Sequence, residues 1–183
     1  MNNHWDERFM DVARMIAMWS KDSSTRCAAI LVNDHKAIIG AGFNGFARGM
    51  DDSPELYADR TAKLECVIHA EENSILLAPG SLRGATMYVT GMPCASCAAR
   101  IIQAGIKTVV IPDALEDPFL WRGRTYKYGE KYAKSSYFFD QADVLLRVMD
   151  TTNYDARLLM GPKHPYFEGR ADDHFDQFDH YCR

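Results

Sequence analysis

The chain has 183 residues, 47% hydrophobic and 25% charged, a composition that calls for neither a disordered nor a fibrous reading. Twenty-one Lys and Arg against twenty-five Asp and Glu leave a formal charge of −4, which argues against a surface built to hold phosphate backbones. No run reaches the roughly 18 apolar residues of a membrane helix. The start, Met1-Asn2-Asn3-His4-Trp5-Asp6-Glu7, has neither the basic opening nor the apolar core of an export signal, so a cytoplasmic location is expected. Two of five cysteines form Cys94-Ala95-Ser96-Cys97, which in that compartment suggests metal or redox chemistry before a disulfide frame.

Trp5, Phe9, Val12, Ile16 and Trp19 recur at helical spacing and predict a first helix packed into the core by that stripe. Cys27–Val32 and Ala37–Phe43 read as two strands joined by a hairpin at Asn33-Asp34-His35-Lys36. The stretch from Asn44 to about Ala62 is polar and without clear period, and long irregular connections of this kind are usually functional. A helix is predicted from about Val67 to Ala78, closed by Pro79-Gly80. Thr86–Thr90 as a strand, Cys94–Ala104 as a helix ending at Gly105, and Thr108–Ile111 as a strand make a parallel crossover unit. A helix within Gly129–Gln141 and a strand at Val144–Val148 complete a sheet with helices on both faces.

Two helices open on chemistry-bearing residues. His69-Ala70-Glu71 starts one, and Pro93-Cys94-Ala95-Ser96-Cys97 starts the next. Cysteines three apart at a helix start share one face, so both sulfurs can bind one ion, with His69 as a third ligand. Three protein ligands leave one coordination position free, the pattern of a catalytic zinc. Both helix N-termini would favour thiolates beside the ion. Glu71 is too close in sequence to His69 to be an obvious fourth ligand and is better placed to bond the attacking water.

This order resembles the zinc-dependent cytidine deaminase superfamily, whose base-deaminating members carry His-x-Glu followed by Pro-Cys-x-x-Cys. Trp5-Asp6 with Phe9-Met10, Ser20-Lys21-Asp22, Gly42-Phe43-Asn44-Gly45 and Ile102-Gln103-Ala104-Gly105-Ile106-Lys107 are similar to the deoxycytidylate (dCMP) deaminase branch. The resemblance covers about residues 5–150. It implies an α/β fold, a three-layer α/β/α sandwich around a mixed five-stranded sheet, over residues 1–150, with 151–183 as a C-terminal extension. It implies a Zn2+ cofactor held by His69, Cys94 and Cys97, and hydrolytic deamination of a cytosine nucleotide, foremost dCMP to dUMP and ammonia. Glu71 would be the proton shuttle, moving a proton from water to ring N3 and then to the leaving amine. Asn44, Ala70 and Arg26 would contact substrate, Asn44 at the sugar or base and Arg26 at a 5′-phosphate. The implied partners are a small nucleotide and further copies of the chain, with neither nucleic acid nor membrane.

Other readings stand beside these. Cys27 or Cys66 would close a four-ligand structural zinc; otherwise both are expected as small buried hydrophobes. Glu72 is expected as a solvated or packing residue, and Asn44 could simply occupy a left-handed turn. Arg26 suits a surface ion pair as well as a phosphate. A tRNA adenosine deaminase-like editor shares the zinc motif, but the acidic charge and the long Gly45–Ile68 connection weigh against it. A deaminase of a free base, nucleoside or modified pyrimidine would use identical zinc machinery. Where the dCMP deaminase loop commonly runs Gly-x-Pro after its asparagine, Gly45-Phe46-Ala47 carries alanine. Trp121, Arg122, Arg124, Tyr126 and Tyr128 are candidates for a specificity wall or an oligomer contact. The aromatic tail is expected to pack on its own domain or a neighbour.

Overall fold

The computed structural model describes residues 4–113 and 130–150. The connection carrying Trp121 to Tyr128 and the aromatic tail lie outside these residues. Helix α1 (His4–Ala17) is followed by strands β1 (Ala28–Val32) and β2 (Ile38–Phe43) and short helices α2 (Pro54–Ala58) and α3 (Arg60–Cys66). Then come α4 (Ala70–Leu77), β3 (Thr86–Val89), α5 (Ala95–Gln103), β4 (Thr108–Pro112), α6 (Glu130–Gln141) and β5 (Leu145–Met149). The strands form one mixed sheet in the order β2-β1-β3-β4-β5. The β2/β1 and β1/β3 pairs are antiparallel, and β3/β4 and β4/β5 are parallel.

Alternation along the strands divides the core in two. Ala29, Leu31, Met87, Val89, Val109 and Ile111 pack with Ala70 of α4, Ala98 and Ile101 of α5 and Phe139 of α6. Their neighbours Ala28, Ile30, Val32, Tyr88 and Val110 face Phe9, Met10, Ala13, Ile16 and Ala17 of α1 on the other side. The result is the expected α/β/α sandwich with a mixed five-stranded sheet.

Three expectations need correction. The aromatic stripe of α1 is not all core: Phe9 and Ile16 are buried, whereas Trp5 is 39% and Trp19 65% exposed, and Val12 is exposed too. The inner face instead uses Met10, Ala13 and Ala17, whose size lets α1 lie close to the sheet. Trp5 stacks on Phe9 at 5.5 Å and Trp19 meets Phe43 edge-on at 6.2 Å, so both flank the core. The segment after Asn44 is not irregular throughout, since α2 and α3 occupy its second half, capped by Ser53 and Asp59. Finally, α4 begins at Ala70 rather than near Val67, because Ile68 is extended and pairs with Gly45.

The seat of α4 on β2 depends on glycine. A Cβ at Gly42 would lie 2.4 Å from the Ser74 nitrogen and 2.8 Å from the Asn73 carbonyl carbon, main-chain atoms that cannot turn aside. Gly42→Ala is expected to lower stability by about 3 kcal/mol, the upper end for overpacking, as measured by urea unfolding with zinc present.

Candidate active site

Helices α4 and α5 each start with a donor residue. His69 precedes α4 (φ −69°, ψ 154°) and Cys94 precedes α5 (φ −71°, ψ 167°), and neither side chain caps its own helix. The ring and the sulfur are therefore left to face each other. Cys97, one turn into α5, brings its sulfur to 3.4 Å from His69 Nδ1, and Cys94 Sγ lies at 3.7 Å. All three donor atoms are within 4.8 Å of one another. A tetrahedral zinc with usual bond lengths separates its sulfur and nitrogen ligands by about 3.6 Å, so the donor set fits such an ion. Among the described residues no other His, Cys, Asp or Glu joins this group. Cys66 is exposed, against the expectation of a buried hydrophobe, while Cys27 is half-buried against the core.

The electrostatics are those of a cation site. The neighbouring Cys97 thiol, donating to the Cys94 sulfur, lowers the Cys94 pKa to about 3 against the penalty of burial, with His69 helping. Cys97 is pushed up by the charge it supports on Cys94 and by burial. His69 is raised, chiefly by its bond to Cys94. A charge on one sulfur opposes a charge on the other, and a divalent cation supplies what is needed to deprotonate both. Glu71 is buried, and that burial raises its carboxyl pKa. A carboxyl kept out of water beside such a centre is suited to accepting and returning a proton near neutral pH. Ser74 Oγ donates to the Glu71 carbonyl at 2.8 Å, and Asn73 Nδ2 donates to the Phe43 carbonyl at 2.7 Å, tying this turn to the end of β2.

The other expected residues are Ala70, Asn44 and Arg26. Ala70 is fully buried with its methyl in the core, so any contact it makes with a ligand runs through its main chain. Asn44 is buried and bonded within the chain. Its Oδ1 accepts from the Cys27 N–H at 2.8 Å, and its Nδ2 donates to the Thr25 carbonyl at 2.8 Å and to Asp22 Oδ2 at 3.3 Å. Both amide hydrogens are used, leaving one Oδ1 lone pair for a further donor. Arg26 is half-exposed, its Nε donating to the Asp22 carbonyl at 3.3 Å. Glu72 is neither simply solvated nor packed: it pairs with Arg100 Nε of α5 at 3.1 Å.

Sequence reasoning missed Asp22 and Lys63. Buried Asp22 accepts from the Ser24 and Thr25 N–H groups, the Ser24 hydroxyl and Asn44, and pairs with Lys63 Nζ of α3 at 2.8 Å. This hub fastens the segment before β1, the end of β2 and the helix leading to His69. Its signal was the Asp22-Ser23-Ser24-Thr25 string, which suits an Asx turn. Nothing in spacing marked Lys63.

A family model for the cytidine and deoxycytidylate deaminase zinc-binding region matches residues 3–112. The chain belongs to this deaminase family. It is 42% identical over 144 residues to an "uncharacterized deaminase in luxG 3′ region" of Aliivibrio fischeri, covering 79% of this chain and 92% of that one. It is 38% identical over 154 residues to deoxycytidylate deaminase of Mus musculus, covering 74% and 86%. Its fold matches the apo crystal structure of dCMP deaminase from cyanophage S-TIM5, with a TM-score of 0.60 at 22% identity over 81% of this chain and 100% of that one. As a member of this family the protein is a hydrolytic deaminase with a zinc-binding region. No helix among the described residues is long and apolar enough to cross a membrane.

Asn44→Ala removes three hydrogen bonds, one buried and two part-buried, and should cost about 2–4 kcal/mol of stability. Asn44→Asp, nearly the same shape, should cost at least as much, because a second carboxylate would face Asp22. Urea unfolding of the two variants measures both effects.

Proposed function

We propose that this chain hydrolyses dCMP to dUMP and ammonia, with His69, Cys94 and Cys97 holding zinc and Glu71 as the acid–base group. The observation that carries this reading is the compact set of one imidazole nitrogen and two sulfurs beside a buried carboxyl. Zinc supplies the acidity that makes a water nucleophilic at neutral pH. The Glu71 carboxylate takes a proton from the attacking water and delivers it to N3 of the ring, which makes the carbon bearing the amine electrophilic. The hydroxide left by that transfer bonds to this carbon; Glu71 then takes the remaining proton of the new hydroxyl and passes it to the amine, and the C–N bond breaks to release ammonia and leave the ring carbonyl. Burial favours this exchange, since a carboxyl held above its ordinary pKa gives up and regains a proton more evenly than an exposed one.

Substrate contacts are assigned to Asn44, Ala70 and Arg26. Asn44 accepts from a sugar hydroxyl through the remaining Oδ1 lone pair, Ala70 contributes main-chain polar groups at the start of α4, and Arg26 meets the 5′-phosphate. The choice of dCMP rests on the motifs shared with that branch and on relatives bearing the deoxycytidylate deaminase name.

The purified protein should hold about one zinc per chain by atomic absorption, as a single three-ligand site requires. Glu71→Gln should retain that zinc while ammonia release falls by at least ~10²–10⁴-fold, the usual contribution of a general acid–base group. Retained turnover would remove Glu71 from its role. A panel of dCMP, CMP, deoxycytidine, cytosine, dCTP and a tRNA stem-loop should show highest kcat/KM for dCMP. Preference for the unphosphorylated nucleoside or the RNA would overturn the substrate while leaving the chemistry intact.

A further inference from the structure

His69 and Cys94 immediately precede α4 and α5, Cys97 lies in α5, and one ion pair joins Arg100 in the last turn of α5 to Glu72 in the first turn of α4. Arg100 reaches two ways. Its Nε meets Glu72 Oε1 of α4 at 3.1 Å. Its Nη1 donates to the Ser96 carbonyl at 3.0 Å and also to the Ser96 hydroxyl. Ser96 lies between Cys94 and Cys97, and Glu72 lies three residues after His69. The guanidinium therefore links the turn that holds both sulfurs to the turn that holds the imidazole. Planar and with its donors in a fixed fork, arginine can serve both turns at once, whereas a lysine ammonium is a point charge on a flexible stem. The pair also offsets the Glu72 charge beside a centre that already holds a buried carboxyl and two thiols.

We infer that Arg100 and Glu72 are positioning residues, a brace that holds the His69 side of the zinc site in register with the Cys94–Cys97 side. This rests on the zinc reading above. The side chains are 47% and 31% exposed, so the brace acts through a partly screened ion pair with a moderate effect that salt weakens. Groups that orient metal ligands commonly change metal affinity by 10–100-fold. Partial exposure places this pair lower, at about three- to tenfold.

The test uses the zinc-loaded full chain and follows zinc release to a chromogenic chelator in wild type, Glu72→Ala, Arg100→Ala and the double variant. Each single change should speed release about three- to tenfold, and the double should be no faster than the faster single, because one interaction is lost once. The gap between wild type and the variants should narrow from low to high salt. Arg100→Lys should recover only part of the wild-type rate. Glu72→Gln, which removes the charge and keeps the shape, serves if an alanine variant does not fold, and should also speed release. Wild-type release rates in the single variants, or effects that multiply in the double, would overturn the brace. A wild-type protein with no zinc to release would instead overturn the zinc reading.

Discussion

The chemistry of this chain depends on two helices starting side by side over the same sheet. A helix start leaves its first N–H groups without intrahelical partners, so the space in front of it favours negative charge. Here two such starts converge, and each is preceded by a residue whose extended backbone throws a donor side chain forward. Thiolates are the charges that such a space accommodates, and a pair of them can in turn hold a divalent cation. The parallel strands β3 and β4 with the crossover between them put α5 in place, and the glycines of β2 let α4 sit beside it. The sheet thus fixes the spacing of donors that are 25 to 28 residues apart in the chain.

The cluster of His69, Cys94 and Cys97 was readable from the sequence because each half of it is local. His69 and Glu71 share one turn, Cys94 and Cys97 another, and the intervening strand and the glycine after α5 mark the unit that brings the turns together. The strands were readable for the same reason, being short apolar runs between turn residues. What escaped is what depends on distant partners. Trp5 and Trp19 have the spacing of a core stripe, yet the face that is buried was decided by which residues let α1 approach the sheet. The resemblance marks Asn44 for substrate, but its bonds to Asp22, Thr25 and Cys27 were not legible, because they follow from a fold that returns the chain to that point. Helices α2 and α3 carry capping signals in Ser53-Pro54 and Asp59, but at five and seven residues they have too little period to be seen.

The connection between β2 and α4 is held at both ends and in the middle. Gly45 and Ile68 exchange main-chain hydrogen bonds at its base. Lys63 anchors α3 to Asp22, and Lys21 reaches across to Asp52 at 2.7 Å. Phe46 and Tyr57 pack ring against ring at 4.7 Å inside it. Tyr57 has its hydroxyl pKa raised to about 12 by burial and by Asp52, so it remains a neutral donor to that carboxylate. A long connection fixed at so many points is a wall of the molecule rather than a loose strap, and it delivers His69 at a set height above β2.

On the opposite face, Asp6 of α1 accepts from the Tyr88 hydroxyl of β3 and from Arg147 of β5, both at 2.8 Å, and the arginine is 141 residues away along the chain. Translation releases the carboxylate early and the guanidinium late. Until the last strand leaves the ribosome, the nascent sheet lacks both its parallel edge and the cation that sits against Asp6. The residues of the His69/Cys94/Cys97 cluster all precede β5 in the chain, so the strand whose arginine ties the first helix to the sheet is made after every one of them.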